Sequence, residues 1–257
     1  MSRRLILAAI FLTVAGAAHA VTTNDAVTAE REGRELVRQL RGAQPPQDFT
    51  NRATIRIQAN KQIVEVPVMV ETFLTPTNWE TFYFTAYPTQ GTNKGWGPSA
   101  SVRIRHTAEQ PNEYRSYQFN RSPCDSNESD LISGDQTFLP FAGSDFWLAD
   151  LGLEFLQWPE QKVWRKELKK GQSCAVLESR PAAPATNGYS RVVSWVDIDT
   201  GGIVEAEAYD AKGKRLKEFE VKELEKINGR LEVTELQMRN VQTGSRTLLR
   251  FDFTPRN

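Results

Sequence analysis

From Gln161 onward the chain is punctuated by tight-turn sequences at short intervals, and no other feature constrains its fold as strongly. Lys170-Gly171, Asp199-Thr200-Gly201-Gly202, Asp210-Ala211-Lys212-Gly213 and Asn228-Gly229 pair glycine with residues that favour turns. The spacing predicts strands over 161–168, 172–180, 189–198, 202–210, 214–224, 230–240 and 245–254. Strands in unbroken succession, each joined to the next by a turn, build an antiparallel meander. The stretch Pro181 to Asn187 reads as a loop, and no linker or internal repeat divides the chain.

The N-terminal half reaches a similar end by a different route. Asn24 to Leu40 carries a partial apolar stripe of Val27, Leu36, Val37 and Leu40, stopped by Gly42 and Pro45-Pro46, which predicts one helix. The period then changes to two. Ala53, Ile55, Ile57 and Ala59, a turn at Asn60-Lys61, and Val64, Val66, Val68 and Val70 predict a hairpin. The next strand, Trp79 to Tyr87, has Trp79, Tyr83 and Tyr87 on one face and Phe82, Phe84 and Ala86 on the other. A strand apolar on both faces must be covered on both or line a cavity. Two more strands follow, around Val102–His106 and Tyr114–Phe119. Asn120 to Gln136 is polar and reads as a long loop. Phe138 to Trp158 breaks the alternation. With Ser144 or Asp145 as cap and Phe146, Leu148, Leu151, Leu153, Phe155 and Leu156 inside, it predicts an apolar helix that must pack on the sheet or plug its open side.

The first twenty residues address the chain to the envelope. Arg3-Arg4, the apolar run Leu5 to Ala15 and the small-x-small site Ala18-His19-Ala20 form a secretory signal, cleaved after Ala20. The run is shorter than the roughly 20 residues that cross a bilayer. The expected location is therefore periplasmic, with residues 21–257 as a single domain. The whole chain has 32 basic and 32 acidic residues; without Arg3 and Arg4 the mature part has 30 against 32, a formal charge of −2. That balance argues against a nucleic-acid partner. Cys124 and Cys174 in an oxidising compartment read as one disulfide, with two free thiols as the alternative. Closing that loop would stabilise by about 4 kcal/mol.

Catalytic constellations are absent from the pattern. His106 is the one histidine of the mature part, expected on a strand beside Arg103 and Arg105, where a structural role is the simpler reading. There is no G-x-S-x-G elbow and no phosphate-cradling glycine loop. Two cysteines and one histidine do not make a structural zinc set. Asp197 and Asp199 beside Thr200-Gly201-Gly202 read as turn caps before acid–base partners. No enzyme activity, catalytic residue, metal or cofactor is expected.

Phe141-Ala142-Gly143-Ser144-Asp145-Phe146 followed by Asp150-Leu151 resembles the "GSDF…DL" helix of LolA-like outer-membrane lipoprotein-sorting proteins. Val193-Ser194-Trp195-Val196-Asp197, Glu205 to Asp210 and Gly213-Lys214-Arg215-Leu216-Lys217 resemble that family's central hairpins. Arg239-Asn240, Thr243-Gly244 and Thr247-Leu248 resemble its closing strands. The resemblance implies a mainly β fold: a curved, half-open antiparallel β-barrel or meander with an N-terminal helix and a mid-chain lid helix. It further implies a non-enzymatic carrier whose partner is lipid or an acylated lipoprotein. An envelope sensor or adaptor working with a membrane transporter or regulator, and a structural interaction domain, are the alternatives on the same fold. The candidate ligand-binding residues are Phe82 and Phe84 on the aromatic strand and Phe146, Leu148, Leu151 and Phe155 on the lid, with an apolar cavity between lid and sheet.

Overall fold

The computed structural model describes residues 23–88, 96–117, 129–227 and 229–253; the signal segment with its cleavage position, and Cys124, lie outside them. Helix α1 (Thr23–Gly42) opens the described chain. Six strands follow, β1 (Phe49–Ala59), β2 (Gln62–Leu74), β3 (Trp79–Pro88), β4 (Trp96–His106), β5 (Glu113–Tyr117) and β6 (Ser129–Ile132). A connecting segment of short helical turns covers 133–159. Seven strands complete the chain, β7 (Glu160–Lys169), β8 (Gln172–Arg180), β9 (Arg191–Asp197), β10 (Ile203–Tyr209), β11 (Arg215–Ile227), β12 (Arg230–Asn240) and β13 (Arg246–Asp252). The sequence-predicted strands of the second half thus match in number and order, with boundaries shifted by a few residues. Strand β6 falls inside the stretch expected to be loop.

All thirteen strands form one curved, unclosed antiparallel sheet in the order β6-β5-β4-β3-β2-β1-β13-β12-β11-β10-β9-β8-β7. Two meanders run outward from a central seam where β1 pairs β13, with Ile55 opposite Leu249 and Ala53 opposite Phe251. Because β6 and β7 are the two edges, the 133–159 segment must travel from one edge of the sheet to the other. It does so across one face, hereafter the inner face.

Alternation decides which side chains meet it. Ile55, Val66, Val68, Val70, Val102, Ile104 and Tyr114 of the N-terminal meander form one buried cluster with Phe141, Phe146 and Leu148 of the crossing segment. Ala175, Leu177, Val192, Val196 and Ala206 of the other meander form a second cluster with Phe155, Leu156 and Val37 of α1. Helix α1 lies so close to β7 that a Cβ at Gly33 would stand 2.5 Å from the Gln161 backbone, so only glycine fits there.

The expected lid helix does not exist as one element. Residues 133–159 hold three 3₁₀ turns (Gly134–Phe138, Phe141–Gly143, Glu154–Gln157) and a single α-turn, α2 (Leu148–Leu151). Ala142, inside the Phe141–Gly143 turn, and Leu153, between α2 and the Glu154–Gln157 turn, adopt left-handed backbone, with φ of 52° and 48°. The segment serves two clusters at opposite sides of the sheet, and a single straight helix cannot present Phe141 to one and Phe155 to the other.

Candidate functional site

The crossing segment is pinned to the sheet by the two aspartates of its motif. Asp145 accepts a hydrogen bond from Thr247 Oγ1 at 2.9 Å and another from Ser245, both beside β13. Its own N–H donates back to Thr247 Oγ1 at 2.9 Å. It is therefore an anchor to the sheet and not a helix cap, while Ser144 closes a local turn, its Oγ accepting from the Phe146 N–H at 3.1 Å. Asp150 meets Lys217 of β11, a lysine that is only 1% exposed on the inner face. Lys217 Nζ stands 3.1 Å from Asp150 Oδ2 and 3.4 Å above the Trp147 ring. The same carboxylate accepts from Tyr189 OH at 2.8 Å and from the Trp147 N–H at 2.8 Å. Burial pulls the Lys217 ammonium down to about 8, against the opposing pull of Asp150. The motif is thus a buried polar latch, with both aspartates hydrogen-bonded to the sheet, that holds an irregular segment in place.

Under this latch the inner face is filled. The space bounded by Phe146, Asp150, Phe155, Tyr189, Lys217 and Phe219 is about 40 Å³, room for a few water molecules and too little for an acyl chain. Phe146, Leu148 and Phe155 are buried there as ordinary core, and Leu151 is half-buried against it. Of the expected apolar cavity between lid and sheet, only this small space is present.

The open space lies further along the same face, beyond the crossing segment. A cleft of about 1300 Å³ runs over the N-terminal end of β1, the facing ends of β2, β3 and β13, and the β11–β12 hairpin. Val70, Leu236, Phe251 and Phe253 contribute apolar wall, and Phe49 and Leu231, 36% and 58% exposed, stand at its rim. Thr72, Thr81 and Tyr83 add hydroxyls, while Asn51, Glu232 and Asp252 add polar character. Tyr83 also meets Phe141 of the crossing segment edge-on, at 6.1 Å between ring centroids, so the cleft begins where the latch region ends.

None of the six predicted site residues lines this cleft. Phe82 and Phe84 stand on the opposite face of β3 from Tyr83, across from Glu71 and Arg103 and from Met69 and Ser101. Phe82 packs edge-on to Phe73 at 5.7 Å. That outer face carries an ion-pair lattice in which Glu80 and Glu113 each engage Arg103 and Arg105. Long arginine stems cover apolar surface while their heads stay wet, so a second helical layer is not needed there. Sequence reasoning missed Phe49, Leu236, Phe251 and Lys217. Phe251 and Val70 show the right parity, but only strand order reveals that they share a wall.

His106 stacks on Trp79 at 5.0 Å, and burial pushes its imidazole down to about 4. It is structural, as expected. Asp197 accepts the Asp199 N–H and the Thr200 hydroxyl, at 3.2 and 2.6 Å, and so caps its turn. Cys174 is buried on the outer face with Val176, Val193 and Trp195. No disulfide is formed among the described residues, and Cys124 lies outside them.

A family model described as "uncharacterized protein" matches residues 125–254, just over half of the chain, and the chain belongs to that family. No curated protein matches it by sequence. Among solved structures it is similar to a DUF1329 family protein from Desulfovibrio piger, at 21% identity and a TM-score of 0.68, over 88% of this chain and 92% of that one. It is also similar to a domain from Vibrio parahaemolyticus described as that of an outer membrane lipoprotein-sorting protein, at 19% identity and a TM-score of 0.68, over 87% and 91%. A LolA superfamily protein from Nitrosomonas europaea aligns at 16% identity and a TM-score of 0.56, over 89% and 94%. The fold is the LolA-like one that the sequence resemblance implied. Among the described residues no helix is long and apolar enough to cross a membrane.

Proposed function

We infer that this chain is a periplasmic, non-enzymatic carrier or binder of lipid or lipoprotein acyl chains, acting after cleavage behind Ala20. The supporting observation is the cleft of about 1300 Å³ on the inner face, with apolar wall from Val70, Leu236 and Phe251. It is larger than the roughly 300–1,000 Å³ of most small-molecule sites. Each buried CH₂ contributes about 0.8 kcal/mol, so a single acyl chain supplies useful affinity without any polar contact. The likeness to a lipoprotein-sorting domain and to a LolA superfamily protein supports the same reading. A Cys124–Cys174 disulfide belongs to the proposal, and a mass gain of two hydrogens on reduction of the purified protein checks it.

Mass spectrometry of gently purified protein, combined with titration of a fluorescent long-chain fatty acid, tests the function. Co-purified lipid and saturable probe binding are expected. If the folded protein binds no long-chain lipid and no acylated peptide, the cleft is not an acyl site and the structural alternative takes its place.

A further inference from the structure

The wall of the cleft contributed by β2 and β3 is not purely apolar. Thr72 and Thr81 face each other across the two strands, their hydroxyl oxygens 3.3 Å apart. They are 1% and 8% exposed, and both line the cleft. A pair of hydroxyls uses one proton between them, so one donor of the pair remains over. Two residues along β3 on the same face stands Tyr83, roughly 7 Å away along the strand. Its ring packs against Phe141 and borders the cleft, and its hydroxyl has no hydrogen-bond partner among the described residues. Burial pushes the phenol up to about 12, so it keeps its proton and donates at any physiological pH.

This stripe of donors sits among Val70, Leu236 and Phe251. A bare alkyl chain laid over it would strip water from the hydroxyls and return nothing. A ligand that brings an acceptor to that point keeps them satisfied. Resting on the acyl-binding reading, we propose that the β2–β3 wall recognises the carbonyl of an acyl ester or amide, through Tyr83 and the Thr72–Thr81 pair, while the alkyl tail lies on the apolar part of the cleft. The stripe would thereby discriminate acylated compounds from other amphiphiles of equal length. Phe82 and Phe84, on the other face of the same strand, take no part.

Three ligands and two variants test this. The ligands are 1-palmitoylglycerol, its ether analogue 1-hexadecylglycerol, and N-palmitoylserine, each measured by displacement of a fluorescent fatty-acid probe. Wild-type protein should bind the ester about 3- to 10-fold more tightly than the ether, the range of one neutral hydrogen bond. Tyr83→Phe, which keeps the ring, should abolish that preference by weakening the ester towards the affinity of the ether. Thr81→Val should reduce it in the same direction, which guards against a folding defect in either variant, and circular dichroism confirms the fold of both. Tyr83-dependence of the ester alone points to a glycerolipid, of the amide alone to an N-acylated peptide, and either supports the inference. Wild-type affinity no greater for the ester or the amide than for the ether, or equal losses for all three ligands in Tyr83→Phe, overturns it while leaving acyl binding intact. Absence of binding by all three ligands overturns acyl binding itself and the inference with it.

Discussion

The two parts of the inner face belong to one continuous sheet and behave differently. Beneath the crossing segment, β8 to β12 meet Phe155, Tyr189 and the Lys217–Asp150 pair, and only about 40 Å³ remains. Beyond it, no segment among the described residues crosses the ends of β1, β2, β3 and β11 to β13, and about 1300 Å³ stays open. Apolar alternation is present in both places. The difference is whether the chain supplies its own cover, and that cover is an irregular segment held by polar anchors. Where the sheet is covered, its apolar face contributes to stability; where it is not, the same kind of surface is available to a ligand.

Substitutions on the two sides should therefore separate stability from binding. The largest effect is expected for Leu151→Asp, which places a carboxylate against the filled cluster with no partner. It should destabilise by about 3–4 kcal/mol, seen as a lower urea midpoint. An unchanged midpoint would mean that the crossing segment is not tightly packed. Lys217→Met comes next. It removes one partner of a buried pair and leaves Asp150 without its cation, at a cost of about 3 kcal/mol. Retention of full stability would show the latch to be unimportant for holding the segment.

A pH titration tests the packing of β3 against β4. The buried His106 imidazole stays neutral down to about 4, whereas in the unfolded chain it takes its proton near 6.5. Between those values the unfolded state holds the extra proton. Stability should thus be fully present above pH 6.5 and fall by on the order of 2 kcal/mol as the pH drops towards 4. His106→Gln should flatten that part of the profile, and an unchanged slope in the variant would assign it to other groups. The smallest stability change is expected on the open side. Phe49→Asp, at the exposed rim, should shift stability by less than about 0.5 kcal/mol while weakening fatty-acid probe binding about 10-fold. Unimpaired probe binding by this variant would place the ligand elsewhere.

Much of the scaffold was readable in advance. The glycine turns at Lys170-Gly171, Asp199 to Gly202 and Asp210 to Gly213 set seven strands in the right order, because a turn is decided by residues in direct succession. The Ala53 to Val70 hairpin was legible for the same reason. The Phe138–Trp158 segment was not. Its apolar content suggested a helix, but Ala142 and Leu153 turn left-handed because Phe141 and Phe155 are drawn to separate clusters. The two aspartates of the motif were visible as a signature, yet their work depends on Thr247 and Lys217, 102 and 67 residues away in the chain.

Acting alone, the sequence determined what is local: where the strands begin and turn, which side chains share a face of one strand, and that one mid-chain segment is too apolar to face water. Tertiary structure decided which face of each strand is inner. Phe82 and Tyr83 are neighbours with equal claims to a core. Tyr83 became cleft wall and Phe82 outer surface because β2 and β4 set the pairing of β3, and because the crossing segment lies on Tyr83's side. Alternation has a period of two and no preferred sign. The sign comes from contacts such as Ile55 with Leu249, which join the ends of the chain and are invisible to any window of neighbouring residues.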